Sequence, residues 1–191
     1  MGRLFHFLAP ILLTHGAGSD RNAPLLAALE PLLSPYASKI LRYDLPFRQA
    51  RPHGPPRPGD AAADRAGLRD TLRDLNDGAL PIAAGHSYGG RQLSMLAAEE
   101  PGLMAGLMLL SYPLHPPRAP QQLRTSHFPA LRTPVLFVHG ARDPFGSIDE
   151  MRSAMEAIPA RKHLVIIERA GHDLKNAAPV IAAAFRDFFA A

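Results

Sequence analysis

Short apolar runs recur along this chain, each halted by a turn signal and followed by a stretch of helical periodicity. That rhythm belongs to a parallel sheet covered on both faces, because buried parallel strands read as continuous apolar runs and must be joined by long crossovers. The runs predict strands over residues 10–14, 39–43, 80–84, 106–111, 134–139 and 163–168, with helices over 24–33, 61–76, 90–99, 148–158 and 178–189. The expected fold class is α/β, a three-layer sandwich in which a mostly parallel six-stranded sheet carries helices on both faces. At 191 residues and 47% hydrophobic composition, the chain is expected to form one domain over 1–191 with a core that needs no covalent staple.

Composition removes several function classes. With no cysteine, disulfides, thiolate metal sites and a cysteine nucleophile are excluded. The nine histidines form no H-x-H or H-x-x-x-H pair, so neither a metal nor another cofactor is expected. The formal charge of +4 comes with a charged fraction of only 20%, which gives no dense basic block. Arg65, Arg69 and Arg73 recur at i, i+4 spacing but alternate with Asp70 and Asp74, the pattern of a solvated helix face, so no nucleic-acid partner is expected. The apolar start near Leu4 is interrupted by His6 and Pro10 and has no cleavage site after it, and no run has the length of a membrane span. A cytoplasmic protein with a small-molecule substrate and no membrane partner, monomeric or homodimeric, is the expectation.

Local signals refine the frame. Leu68, Leu72 and Leu75 share one helix face, and Ser147 with Glu150 forms a capping box that starts the helix at Ile148. Two proline-rich stretches, 44–60 and 112–134, each follow a strand, and loops at strand C-termini wall the ligand crevice of an open parallel sheet. His86 and His139 stand at strand ends and are expected to be structural.

The run Gly85-His86-Ser87-Tyr88-Gly89 is a weak pattern alone, but its context strengthens it, since an apolar strand precedes it and a helix follows. A nucleophile exposed on so tight a turn forces neighbouring backbone close to the positions two before and two after it, and glycine occupies both. The N–H groups at the start of the following helix point toward the charge that develops during attack. Ser87 is therefore the candidate nucleophile, and it needs a base and a group to orient that base.

His15-Gly16-Ala17-Gly18, the turn at Ser87, Gly140-Ala141-Arg142-Asp143 and Gly171-His172-Asp173 together resemble the α/β-hydrolase superfamily, in its characteristic order and over nearly the whole chain. The compact layout and Ser111-Tyr112-Pro113-Leu114-His115-Pro116-Pro117 resemble its dienelactone-hydrolase-like group, near the branch of testis-expressed hydrolase-like proteins. The resemblance implies catalytic roles for Ser87 as nucleophile, His172 as base and Asp143 as orienter, with main-chain N–H groups of Ala17 and Tyr88 as the oxyanion hole. His15 is expected to fix its loop, and Tyr112 and His115, just beyond the fourth strand, are expected to touch substrate.

The superfamily often opens with an antiparallel strand pair and carries a lid after the fourth strand; neither is legible here, so the pocket is expected to be open. Residues 39–43 then form a sheet edge, guarded by Lys39 and Arg42 or used by a dimer. Arg48, Arg91, Arg118 and Arg124 near the rim suggest a substrate with negative charge. The implied function is hydrolysis of a small ester or thioester through an acyl-enzyme; the alternative is an interaction domain that keeps the fold without the activity.

Overall fold

The structure, a computed structural model, describes residues 8–190. The reading of the start of the chain as free of a signal peptide concerns mostly residues 1–7 and lies outside the described residues. Six strands form one sheet: β1 (Ile11–Thr14), β2 (Ile40–Tyr43), β3 (Ile82–His86), β4 (Gly106–Leu110), β5 (Val135–Gly140) and β6 (Lys162–Ile167). Every neighbouring pair is parallel and the order is β2-β1-β3-β4-β5-β6. The helices are α1 (Pro24–Leu33), α2 (Pro46–Ala50), α3 (Asp60–Leu75), α4 (Ser87–Glu99), α5 (Ile148–Met155) and α6 (Ala178–Phe189).

Alternation along the strands splits the core into two layers. Leu12, Ala83, Leu107, Leu109, Val135 and Phe137 pack with α3, α4 and α5 on one face. Ile11, Leu13, Ile82, Ala84, Met108, Leu110, Leu136 and Val138 pack with α1 and α6 on the other. Because both faces are covered, the four inner strands are buried along nearly their whole length, which is why they read as unbroken apolar runs.

The strand order reverses between β1 and β3. Past that point the chain leaves β1 toward one edge of the sheet and β3 toward the other, so the loops diverge and leave a crevice. The loop after β1 and the turn carrying Ser87 flank this gap.

The larger differences from expectation lie in β3, α4, α2 and α5, the last of which ends at Met155 rather than at residue 158. β3 runs 82–86 rather than 80–84, since Leu80 is solvent-exposed and the Ile82 N–H is the first to join the ladder, donating to Pro10. α4 starts at Ser87 rather than Gly90: two early glycines, Gly89 and Gly90, hide a helix whose first turn needs no side-chain support once the turn is fixed by packing. α2 lies inside the first proline-rich stretch and was not expected, although proline at N1 suits a helix start. The capping box at Ser147 is present, with both reciprocal bonds made.

At the β2 edge, Lys39 sits 3.8 Å from Asp77, and Arg42 reaches inward to Glu30 of α1 at 2.7 Å. The α3 arginines are not balanced by Asp70 and Asp74 as the interleaving suggested. Arg65 pairs with Glu99, and Arg69 and Arg73 pair with Glu100, at the end of α4, so this stripe is a helix-to-helix clamp.

Candidate active site

The turn between β3 and α4 is built by close approach. A Cβ on Gly85 would lie 2.5 Å from the Gly90 nitrogen, and one on Gly89 would lie 2.5 Å from the His15 carbonyl oxygen. Both obstacles are backbone, so neither can step aside. The Gly89 N–H donates to that same His15 carbonyl at 3.2 Å, tying α4 to the loop after β1. Ser87 takes φ 50°, in the left-handed region that a β-carbon disfavours, and strain of this kind persists only where the surroundings enforce it.

Three side chains from three loops meet there. The Ser87 Oγ lies 2.8 Å from His172 Nε2, and His172 Nδ1 lies 2.8 Å from Asp143 Oδ2. Asp143 has a fully buried side chain, and its Oδ1 accepts the Phe145 N–H at 2.9 Å. Burial alone would push its carboxyl up, but the bond and charge of His172, the Phe145 N–H and nearby His139 hold it below the usual carboxylate value. An ionised carboxylate there makes His172 Nδ1 the donor and leaves Nε2 free to accept from the serine hydroxyl.

The imidazole is also clamped from its faces. The Phe145 ring centroid lies 4.3 Å from that of His172, and the His86 ring lies 5.2 Å away. His86 Nε2 donates to the His172 main-chain carbonyl at 2.8 Å, and burial holds its pKa down, so it serves as a neutral brace. His139 Nε2 likewise donates to Gly146 O at 2.8 Å, closing the loop that carries Asp143.

The loop after β1 is fixed by groups remote in sequence. His15 is fully buried; its Nε2 accepts the Leu45 N–H at 3.1 Å and its Nδ1 donates to Gly16 O at 2.9 Å, which requires the neutral ring that burial also favours. Arg48, one of the expected rim cations, is instead buried, and its guanidinium donates to the carbonyls of Ala17, Ser19, Arg51 and Gly54. Its charge stabilises loop carbonyls and is not available to substrate. The first proline-rich stretch therefore supports the β1 loop. Among the described residues the Ala17 N–H donates to no main-chain carbonyl, and the Tyr88 N–H lies in the first turn of α4, where no intrahelical acceptor exists.

Asp64 on α3 gave no sequence signal beyond its place one turn before Leu68. It is fully buried, accepting the Phe47 N–H at 2.9 Å and the Tyr88 phenol at 2.7 Å, so one carboxylate ties α2, α3 and the start of α4 together. Burial and that bond push the Tyr88 phenol well above its ordinary pKa.

A family model described as an alpha/beta hydrolase domain matches residues 8–179. The chain belongs to that family. The fold is shared with dienelactone hydrolase from Anabaena variabilis, at TM-score 0.75 and 24% identity over 97% of this chain and 87% of that one. A putative hydrolase of the alpha/beta superfamily from Xanthomonas campestris matches at 0.69 and 21%, over 94% and 96%. Est1E from Butyrivibrio proteoclasticus, solved with ferulic acid bound, matches at 0.76 and 16%, over 95% and 88%.

Within this hydrolase fold, two expected substrate contacts prove to be packed away. Tyr112 is 1% exposed, sits against Phe128 and Phe137, and donates to Arg124 O at 2.5 Å; it is a core residue with no surface to offer a ligand. His115 is 5% exposed with Nδ1 donating to Pro116 O at 2.8 Å. The second proline-rich stretch also buries Leu114, Phe128 and Leu131, so much of it is core. Close to Ser87 and His172, a cleft of about 650 Å³ opens between the start of α1 and the segment after His172. Ala23, Leu25, Ala28, His86, Leu174 and Ala178 are among its walls, and neither proline-rich stretch contributes to it. No helix among the described residues is long and apolar enough to cross a membrane, and no group of three or more metal-ligating side chains occurs among them.

The buried histidines predict an acid limit for the stability of this protein. His127 is pushed down to about 4 by burial and by Arg91, and burial lowers His15 and His86 too. A depressed folded-state pKa contributes stability that is complete above the unfolded value of 6.5 and is lost as pH falls toward the folded value. Asp143 and Asp60 contribute below 3.8 and Glu150 below 4.5, so the histidines dominate the window between pH 6.5 and 4.5. Tm is expected to fall by on the order of 5 °C or more across that window, and His127→Gln to flatten the slope. A Tm unchanged from pH 7 to 4.5 would contradict this.

Proposed function

We propose that this α/β hydrolase is a serine hydrolase that cleaves a small ester or thioester by acyl transfer to water, with no cofactor. The observation that carries the reading is the unbroken hydrogen-bond chain from Ser87 through His172 to buried Asp143. Ser87 Oγ attacks the carbonyl carbon while His172 Nε2 takes its proton, giving a tetrahedral oxyanion. The N–H groups of Ala17 and Tyr88 donate to that oxyanion. The intermediate collapses to an acyl-Ser87, and His172 delivers its proton to the departing alkoxide or thiolate. Water, deprotonated by His172, then attacks the acyl carbon and releases the acid, restoring the serine hydroxyl. Asp143 keeps the proton on Nδ1 throughout and stabilises the imidazolium.

The similarity of fold to a dienelactone hydrolase and to Est1E supports the class of reaction, and the trio supports serine as the nucleophile. Covalent labelling by a fluorophosphonate tests the reading directly. The native protein is expected to label at Ser87, and the Ser87→Ala and His172→Ala proteins are expected to remain unlabelled. A folded native protein that stays unlabelled would replace this reading with a non-catalytic interaction domain.

A further inference from the structure

Most partly buried arginines in this molecule have found an acceptor. Arg65, Arg69 and Arg73 hold Glu99 and Glu100, Arg51 holds Asp60, and Arg48 holds four carbonyls. Arg91 and Arg124 are different. Both are half-buried, neither has a carboxylate partner among the described residues, and the Arg91 Nε is shut off from solvent with no hydrogen-bond acceptor. A buried donor on a cation that finds no protein acceptor points to a group that the chain does not supply.

The fold sets Arg91 one turn after Ser87 on α4 and lays the segment that carries Arg124 against the same helix. Along α4, Ser87, Tyr88, Arg91 and Met95 form the partly open stripe, while Gly89, Gly90, Gln92, Leu93 and Ser94 are buried. Arg91 is one helical turn from Ser87, and side chains on a helix lean toward its N-terminus, here toward the serine. Ser94 Oγ donates to Arg91 O at 2.9 Å and lies 2.8 Å from His127 Nε2. His127 packs on Phe128, Phe128 on Tyr112, and the Tyr112 phenol donates to Arg124 O. That chain of contacts lays residues 112–128 along α4 and joins the main chain at Arg124 to the main chain at Arg91.

The juxtaposition is costly as it stands. Arg124 is destabilised as a cation by burial and then by Arg91, and His127 is kept neutral by the same two influences. An anion lying between two guanidinium groups would remove the repulsion and accept charge-assisted, bidentate hydrogen bonds. We propose that Arg91 and Arg124 form an anion subsite that holds a carboxylate or phosphate monoester carried by the substrate, a few bonds from the carbonyl that Ser87 attacks. The assignment rests on the serine-hydrolase reading for its geometry relative to the scissile bond.

Two measurements separate the subsite from the chemistry. With the Ser87→Ala protein, equilibrium binding of succinamate, of 2-acetamidoethyl phosphate and of neutral butyramide is followed by NMR. At least one anion is expected to bind roughly 10- to 100-fold tighter than butyramide, and the stronger of the two identifies the group. Adding Arg91→Gln or Arg124→Gln is expected to erase that margin, and Arg91→Lys to restore part of it in a protein of unchanged melting temperature. Equal affinity for all three ligands, or an anion preference that survives both glutamine variants, overturns the subsite.

Turnover is read separately, as the kcat/KM ratio of mono-4-nitrophenyl succinate to 4-nitrophenyl butyrate, acyl chains of equal length. The ratio is expected to exceed about ten in the native protein and to fall toward one in Arg91→Gln. Anion binding without hydrolysis of either ester leaves the subsite standing and removes the hydrolase reading. Hydrolysis at Ser87 with no anion preference does the reverse.

Discussion

Ser87→Ala and His172→Ala are each expected to lower kcat for an activated ester by a factor on the order of 10⁵ to 10⁶, and the double variant to be scarcely slower than either. The reason is the geometry of the proposed relay. With Ser87 removed, His172 has no hydroxyl to deprotonate; with His172 removed, the hydroxyl keeps its proton and remains a poor nucleophile at neutral pH. In that relay each group would act only through the other across a 2.8 Å contact, so their effects are not expected to add. Substrate affinity is expected to change little, because neither residue belongs to the proposed Arg91 and Arg124 subsite. Rate losses that multiply in the double variant would show that the two act independently and would remove the relay. The N–H groups of Ala17 and Tyr88 are left intact by both substitutions, so a residue of catalysis above the uncatalysed rate is expected to remain.

Asp143→Asn is expected to cost about 10⁴ in kcat with the fold intact. Asparagine is the same size and can still accept the Phe145 N–H, so the loop between β5 and α5 has no steric reason to move. What changes is the direction of one bond. A buried amide can turn its NH₂ toward His172 Nδ1, which fixes the proton on Nε2, the atom that must be free to receive the serine proton. Loss of the carboxylate also leaves the imidazolium of the transition state without its counter-charge. Raising the pH is not expected to recover the rate, since the fault lies in the tautomer rather than in the degree of protonation. A variant retaining more than about a tenth of native kcat would place the orienting role elsewhere.

Much of this arrangement can be read before any coordinates, and the reason is local. Inner strands covered on both faces must be apolar at every position, so Ile11 to Leu13 and Val135 to Val138 announce themselves. The glycines around Ser87 are dictated by backbone contacts within a few residues or to the adjacent strand, and their spacing survives in the sequence. The order of Ser87, Asp143 and His172, each just beyond a strand, implies one edge of a parallel sheet as their meeting place.

Other features depend on partners far away in the chain. Arg48 and Tyr112 are residue types that suit a pocket rim, yet both are buried because carbonyls of the β1 loop and aromatic rings of the core surround them. Asp64 looks like one more charge on a polar helix until α2 and Tyr88 converge on it. The α3 arginines have aspartates adjacent in sequence but glutamates adjacent in space. Sequence alone determined the layered α/β sheet and the family, because periodicity and short glycine motifs record contacts within an element or its immediate turn. Only the tertiary structure decided which polar side chains are satisfied inside the protein and which, like Arg91 and Arg124, are left with unmet charge, because hydrogen-bond and ion-pair partners are chosen by packing between elements that sequence spacing does not encode.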